Sequence, residues 1–361
     1  MGTDFHNDDK ALLEKVDETL EQRKKNGLEG LSGGLEAVII AVEPERLLPA
    51  AQEFINYTGH DVVDAFEDNA QKTIVLKREG SADILVYTRS GHENPFAASN
   101  RGAKTGPYPN TRLETFVFKC PDIETYVAKQ TGCGRSFLTQ DIQQTDTYSF
   151  IQTPPSAYTC NSVGFIQWKN NEGEYRSQHA TPFDPGLTKP EASYCSNILE
   201  LDHAATRVRA EERDAAIIEF MEWTNYHFEF AVYVESLNSI TNVSRLSLDD
   251  FALVFTSGIR PFVSLEESGP TERFIYNYGP RTHHLAFNTE NIEDTVDALA
   301  EHGMGYISEL IGSREEGLKQ IFTKPSPHTL IVNEYIHRYD DFDGFFTKSN
   351  VTALTKATEK Q

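Results

Sequence analysis

A fourfold repeat dominates the sequence. An apolar strand, a short acidic or proline-containing turn and an amphipathic helix recur, and two or three alternating strands follow each time; the openings lie at 35–56, 113–132, 201–223 and 282–303. Repeats constrain a fold strongly, because each unit buries its apolar face only against its neighbours. We therefore predict an α+β fold of four βαβββ modules, two in each half, with each half curling into an open barrel around a cavity.

The repeat also divides the chain. Residues 8–27 precede the first unit and predict an amphipathic helix with acidic residues first and basic residues last. The stretch 170–195 is rich in Pro, Gly and polar residues and interrupts the pattern. We expect an N-terminal helical extension over 1–30, a first domain without metal over 31–170, a linker over 171–195 and a catalytic second domain over 196–361.

Charge and composition exclude several classes of function. The 361 residues include 55 acidic and 33 basic ones, a formal charge of −22 that repels nucleic acid and anionic lipid. The four cysteines form no CxxC pair, and the first residues lack the features of a signal peptide. We expect a cytoplasmic protein with no nucleic-acid or membrane partner.

Two histidines occupy equivalent positions in the repeat. Aligning the helix entries places Ala37 over His203 and Thr115 over His284. A pseudo-twofold relation would bring the two imidazoles together inside one barrel, although a single histidine is more often a hydrogen-bonded core residue. The first half offers no nitrogen ligand at these positions, and strict strand alternation places His283 on the opposite face from His284.

A carboxylate on the last strand completes the set. Alternation places Glu334 on one face with Leu330, Val332 and Ile336, toward the barrel interior. A buried carboxylate requires a cation or becomes neutral, whereas an edge-strand Glu would instead pair with Lys or Arg. Two imidazoles and one carboxylate are typical of non-haem iron(II) oxygenases, although the spacing itself does not identify the metal.

From residue 201 onward the chain resembles the 4-hydroxyphenylpyruvate dioxygenase and 4-hydroxymandelate synthase family, of the vicinal-oxygen-chelate fold. The matching strings occur in the family's order: LDHAATRV, SLNS, THHLAFNTENI, QIFTKP, NEYIHR and GFFTKSNVTAL. QIFTKP is the most specific of them. Over the first half the resemblance rests on the repeat architecture alone.

The resemblance implies roles for individual residues. The iron ligands would be His203, His284 and Glu334, and the residues bordering the iron would be Gln320 and Phe322. The substrate contacts would be Ser239, Phe345 or Phe346, and Asn350. The phenylalanine and Asn350 would belong to a C-terminal helix that covers the cavity. Taken alone, Gln320 and Ser239 could simply satisfy strand neighbours, and the phenylalanines could be core.

Two segments depart from the family pattern. The family's arylpyruvate enzymes carry polar substrate contacts where this chain reads FTSGIRPFV and GPTERFIYNYG, and a long insertion is shortened to MGYISELIGSREEGLK. We expect a pocket that is more open or built for a different 2-oxo acid. Arg260 or Arg273 would meet an anionic tail, unless they are simply exposed arginines.

The resemblance implies an Fe(II) enzyme that uses O2 to decarboxylate a 2-oxo acid oxidatively and to hydroxylate the same molecule, as in aromatic amino acid metabolism. We further expect a homo-oligomer, dimer or tetramer, with a small-molecule 2-oxo acid as partner. One alternative is an extradiol ring-cleaving dioxygenase with His227, His283 or Tyr335 as acid-base group. The other is a non-catalytic protein that binds an aromatic ligand, although such a protein has no need of three metal ligands.

Overall fold

The computed structural model describes residues 5–91, 93–170, 172–339, 342 and 344–361. Its α-helices are α1 (Lys10–Lys25), α2 (Leu47–Tyr57), α3 (Ile123–Gly132), α4 (Tyr194–Asn197), α5 (Arg213–Trp223), α6 (Pro270–Tyr278), α7 (Ile292–Glu301) and α8 (Lys348–Ala357). No helix of this described part is both long and apolar enough to cross a lipid bilayer.

The strands form two sheets. The first half and the segment after it contribute β1 (Leu35–Ala41), β2 (Asp61–Glu67), β3 (Gln71–Lys77), β4 (Asp83–Arg89), β5 (Arg112–Lys119), β6 (Gln143–Gln144), β7 (Tyr148–Gln152), β8 (Ser162–Trp168) and β9 (Thr181–Pro182). The second half contributes β10 (Ile198–Arg207), β11 (His227–Val234), β12 (Ser239–Arg245), β13 (Ala252–Ser257), β14 (Arg281–Thr289), β15 (Ile311–Ser313), β16 (Leu318–Phe322) and β17 (Val332–Arg338). The sheet orders are β6-β7-β8-β5-β1-β4-β3-β2-β9 and β11-β12-β13-β10-β14-β17-β16-β15.

Each sheet is built from two modules of identical topology. In every module a strand and a helix precede three strands, and the last strand returns parallel to the first, as β4 does beside β1 and β17 beside β14. The first strands of the two modules then pair antiparallel, β1 with β5 and β10 with β14. The predicted α+β arrangement of four βαβββ modules is therefore confirmed.

Strand alternation determines which face is covered. In β1, Val38 and Ile40 belong to the large apolar core that includes the helices, whereas Ala37 and Ile39 face the other side. That core contains residues of both halves, and α1 joins it through Leu12 and Val16. Arg23 of α1 also donates to backbone oxygens of α5 and the residues after it. The helix-covered faces are thus filled, and each sheet's other face is left to line a cavity.

The segment predicted as a linker takes part in the first sheet. β9 lies within 171–195 and pairs with β2, and the Tyr175 side chain packs on the uncovered face of the same sheet. The domain limits themselves stay a prediction.

A β-bulge occurs at the same point in both halves. The register between β10 and β14 shifts after Ala205, so that His283 is the extra residue; between β1 and β5 the shift after Ile39 makes Glu114 the extra residue. A bulge breaks strict alternation and re-aims a side chain. His283 consequently lines the same cavity as His284, and the expectation that it faces away is wrong.

Candidate metal centre

Three neighbouring strands bring the predicted ligands together. On β10, β14 and β17, His203 and Glu334 both pair in register with Ala286, and His284 lies two residues earlier on the middle strand. His203 Nε2 and His284 Nε2 each lie 3.2 Å from Glu334 Oε2. Among the described residues this is the one group of three or more potential metal-ligating side chains whose ligand atoms converge, all within 4.8 Å.

The donor set fits a divalent metal. His203 Nδ1 lies 2.6 Å from Asp202 Oδ2 and donates its proton there, so Nε2 is the nitrogen that faces the Glu334 carboxylate. Burial lowers the pKa of His203, but Glu334 and Asp202 outweigh burial and raise the pKa to about 9. Without a metal, Nε2 therefore carries a proton toward Glu334, and a divalent metal would take the place of that proton.

Asp202 supports His203 from behind. Its carboxylate also forms an ion pair with Arg338. Burial alone would raise the pKa of Asp202, but Arg338 and His203 outweigh it and hold the pKa well below its usual value. The carboxylate therefore stays ionised and orients the imidazole, as carboxylates commonly do for metal-binding histidines.

His283 performs the corresponding task for His284. The two Nδ1 atoms lie 2.8 Å apart, and His283 Nε2 lies 2.8 Å from Gln361 Oε1. With the amide oxygen as acceptor, His283 carries its proton on Nε2, so its Nδ1 accepts the proton of His284 Nδ1. Burial lowers the pKa of both histidines well below the usual value, so both are neutral. This arrangement leaves His284 Nε2 free to bind a metal.

A polar chain reaches the third ligand from α8. Asn350 Nδ2 donates to Gln320 Oε1 at 3.0 Å, and Gln320 Nε2 donates to Glu334 Oε1 at 2.5 Å. All three side chains are buried. Gln320 thus touches a ligand carboxylate directly, and Asn350 acts only through Gln320.

Aromatic rings surround the histidines. The Phe322 ring centroid lies 4.8 Å from that of His284, and those of Phe346 and Phe345 lie 5.2 and 5.6 Å from that of His203. Phe346 lines the cavity, whereas Phe345 packs beneath the guanidinium of Arg338. Of the two phenylalanines between which the sequence left the choice open, Phe346 is the one that faces the cavity.

The cavity itself is small because α8 covers it. Its volume is about 50 Å³, and besides the ligand residues it is lined by Val351, Leu354, Thr355 and Thr358 of the C-terminal helical segment. That space holds a few water molecules, which is less than a 2-oxo acid fills. Binding of a substrate therefore requires the cavity to widen.

The segments that depart from the family pattern are joined to each other. The Glu272 carboxylate accepts hydrogen bonds from the backbone N–H groups of Gly258 and Ala210, both at 3.0 Å. Arg260 is exposed and Arg273 pairs with Glu359, and neither lines the cavity. The arginine that does line it is Arg207, which sequence reasoning missed although it lies four residues after His203 on the same strand face.

Of the other residues that the sequence singled out, some line the cavity and others do not. Ser239 lines the cavity, with its hydroxyl 3.3 Å from that of Thr271. Tyr335 is buried in the helix-covered core and donates to the backbone oxygen of Tyr57, and His227 does not line the cavity. Of the three acid-base candidates, only His283 reaches the cavity.

The first half has no ligands at the equivalent positions. Register equivalence places Ala37, Thr115 and Gly164 where the second half has His203, His284 and Glu334. Its cavity measures about 320 Å³ and is lined by groups such as Phe150, Gln152 and the bulge residue Glu114.

Comparisons with known proteins place the fold. The chain has a TM-score of 0.67 and 16% identity to a triple mutant of 4-hydroxymandelate synthase from Streptomyces coelicolor, with 91% of this chain and 99% of that chain covered. A fusion protein of a xylose isomerase-like TIM barrel and 4-hydroxyphenylpyruvate dioxygenase gives 0.60 at 12% identity, covering 97% of this chain and 57% of that one. No protein-family profile and no curated protein sequence matches. The expected vicinal-oxygen-chelate fold is confirmed by this likeness.

Proposed function

We propose that this protein is an Fe(II)-dependent dioxygenase that decarboxylates a 2-oxo acid oxidatively and hydroxylates the same molecule. The observation that carries the proposal is the convergence of the ligand atoms of His203, His284 and Glu334, all within 4.8 Å, in a cavity that α8 covers. The structural neighbours, whose names include 4-hydroxymandelate synthase and 4-hydroxyphenylpyruvate dioxygenase, support the same class of reaction.

In this proposal the three side chains hold iron from one side, which suits a metal that must also accept substrate and oxygen. Iron, when bound, supplies the redox chemistry of O2 and a chelation point for the 2-oxo acid. Asp202 and His283 fix the two imidazoles as neutral ligands by accepting their Nδ1 protons. Gln320 holds Glu334 by donating to its second oxygen.

The remaining residues control access and orientation. Phe322 and Phe346 present apolar surface beside the histidines and keep water from the reacting atoms. α8 closes the cavity and contributes Asn350, which orients Gln320. Ser239 offers a hydroxyl at the cavity wall for a substrate oxygen.

Two other properties belong to the same proposal: a cytoplasmic location and a homo-oligomeric assembly, dimer or tetramer. They rest on the sequence, and light scattering of the purified protein tests the assembly.

The extradiol alternative has less support in the structure. Its acid-base group would have to be His283, but both nitrogens of that ring are engaged, one with His284 and the other with Gln361. A group in this position orients a ligand better than it exchanges protons with a substrate.

The test is an anaerobic titration of Fe(II)-loaded protein with a panel of 2-oxo acids, followed by oxygen uptake. We expect the weak visible band of a chelated 2-oxo acid and oxygen uptake that depends on that acid. Glu334→Ala is the matched control and should give neither. Oxygen uptake with a catechol and no response to any 2-oxo acid would instead favour the extradiol reaction.

A further inference from the structure

Arg207 is a buried cation at the wall of the metal-site cavity. It lies at the end of β10 with only 4% of its surface exposed and lines the same cavity as the three ligands. Its polar contact is a long one, from Nη1 to the backbone oxygen of Pro270 at 3.5 Å, and its guanidinium lies 4.4 Å from the Phe274 ring centroid. No carboxylate of the described residues forms an ion pair with it.

Other arginines of the second half have closer partners. The buried Arg213 and Arg245 and the half-buried Arg338 each form an ion pair, with Asp9, Glu229 and Asp202 respectively. Arg281 is buried without a carboxylate partner among the described residues, but it donates to the backbone oxygen of Thr111 at 2.6 Å and does not line the cavity. Glu272 does not serve Arg207, because its carboxylate accepts from backbone N–H groups. Burial lowers the pKa of Arg207 to about 9, so the guanidinium is still charged at neutral pH. A buried charge without a partner is costly, which makes its retention at a cavity wall informative.

Hydroxyl groups continue from Arg207 across the sheet. Thr256 on β13 pairs in register with Arg207, and Thr241 on β12 pairs with Thr256. Both threonines line the cavity. The Thr256 hydroxyl is buried and has no hydrogen-bond partner within the described residues. A guanidinium and two adjacent hydroxyls form a row of donors for which the described residues provide no carboxylate acceptor.

We propose that this donor row, Arg207, Thr256 and Thr241, binds a carboxylate at the end of the substrate remote from the metal. The proposal rests on the proposed function, in which the 2-oxo acid group occupies the metal. The Cα atoms of His203 and Arg207 are four residues apart along β10, about 13 Å at 3.3 Å per residue, so the metal ligands and the donor row start from separate points of the cavity wall. Phe322 and Phe346 line the same cavity and suit an aromatic body. The substrate class is therefore an aryl 2-oxo acid with a second anionic group on its ring or tail.

This specificity disfavours a neutral phenol. A phenol oxygen can accept a hydrogen bond from the guanidinium but carries no charge, so 4-hydroxyphenylpyruvate leaves the Arg207 charge uncompensated. A charge-assisted hydrogen bond stabilises a complex more than a neutral one does, and a buried donor that is left without a hydrogen bond destabilises the complex further. We expect 4-carboxyphenylpyruvate to bind about ten- to hundredfold more tightly than phenylpyruvate or 4-hydroxyphenylpyruvate.

The experiment measures dissociation constants in the Fe(II)-loaded protein under anaerobic conditions, with these three acids as probes. Arg207→Met should remove the preference for the carboxylate, and Thr256→Val should reduce it several-fold. Arg260→Met removes an exposed arginine and serves as the matched control, with the preference unchanged. Equal affinities in the wild-type protein, or a preference kept in Arg207→Met, would overturn the proposal.

A second arm separates this proposal from the proposed function. In the metal-free protein, calorimetry compares 4-methylbenzoate with 4-methylbenzamide, which differ in charge but hardly in shape. We expect 4-methylbenzoate to bind at least tenfold more tightly than 4-methylbenzamide, and the two affinities to become equal in Arg207→Met. Absence of a chelate band with every 2-oxo acid would count against the dioxygenase, whereas equal binding of this pair would count against the donor row.

Urea unfolding distinguishes a binding role from a structural one. Because Arg207 lacks a carboxylate partner, Arg207→Met should unfold at the same or a higher urea concentration than the wild-type protein. A marked loss of stability combined with an unchanged carboxylate preference would assign Arg207 to the fold and overturn the proposal.

Discussion

The two halves of the chain have the same backbone plan and different chemistry. Both place a bulge at the equivalent point of the central strand pair, and in both the face opposite the helix-covered core lines a cavity, which α8 covers in the second half only. In the second half this face carries His203, His284 and Glu334; in the first half the same positions are Ala37, Thr115 and Gly164. The fold therefore supplies only a scaffold for three converging side chains, and the side chains themselves decide whether a metal binds.

The two halves also differ at the bulge residue and at the position of the third ligand. Glu114 takes the place of His283, but its carboxylate is bound by Arg89 and by the Tyr87 hydroxyl. Where the second half has Glu334 beside Gln320, the first half has Gly164 beneath the Phe150 ring. An aromatic ring fills the space that a carboxylate would need, so a metal-binding side chain does not fit at this position of the first half.

The largest effect should come from removing a metal ligand. His203→Ala, His284→Ala or Glu334→Ala each removes one of the three proposed iron ligands, and we expect turnover to fall at least about a thousandfold, with the fold intact by circular dichroism. Thr115→Val in the first half should leave activity unchanged. The wild-type protein should contain one iron per chain by elemental analysis. Two per chain, or an active iron-loaded Glu334→Ala protein, would contradict the distinction between the halves.

The bulge residues should separate metal binding from stability. His283→Ala leaves His284 Nδ1 without its acceptor, and we expect iron affinity to fall ten- to hundredfold, as for other supporting partners of metal ligands. Its counterpart Glu114→Gln should leave iron affinity unchanged and lower the free energy of unfolding by about 3 kcal/mol, because Arg89 loses its carboxylate.

Competition with a chelator measures the iron affinity, and urea unfolding measures the free energy of unfolding. His283→Gln retains an acceptor and should recover part of the affinity. An unchanged affinity in His283→Ala would show that the His284 ring is held by packing rather than by its neighbour.

His283 also shows where sequence reasoning reached its limit. The repeat placed His203 and His284 at equivalent positions, and alternation placed Glu334 on the interior face, because both arguments use regular periods. A bulge is a local departure from that period, and nothing in the letters THHLAF specifies it. Arg207 was accessible to the same alternation argument as Glu334, but its lack of a partner depends on residues distant in sequence, such as those around Pro270.

Gly164 offers a smaller test of how the first half is packed. A Cβ at this position would lie 3.0 Å from Phe150 Cε2 and 3.0 Å from Thr115 Cγ2, closer than ordinary contacts. We expect Gly164→Ala to lower the free energy of unfolding by about 1–3 kcal/mol through overpacking. Adding Phe150→Leu should relieve part of the loss in urea unfolding. A stabilised Gly164→Ala protein would mean that the ring moves freely, and that this half has room for a ligand after all.

An effect confined to high pH concerns Glu272 on α6, which joins two segments of the second half. Burial raises its pKa to about 7, even though backbone N–H groups of Gly258 and Ala210 bind its carboxylate. A carboxyl group whose pKa is higher in the folded than in the unfolded state costs stability as the pH rises from the unfolded pKa through the folded one. Glu272→Gln keeps an oxygen that accepts both hydrogen bonds but carries no charge. We expect it to match the wild-type protein near pH 4 and to be more stable by about 1–3 kcal/mol at pH 8, in urea unfolding at the two pH values. A gain of equal size at both would mean that packing, rather than the buried charge, distinguishes this segment from its neighbours.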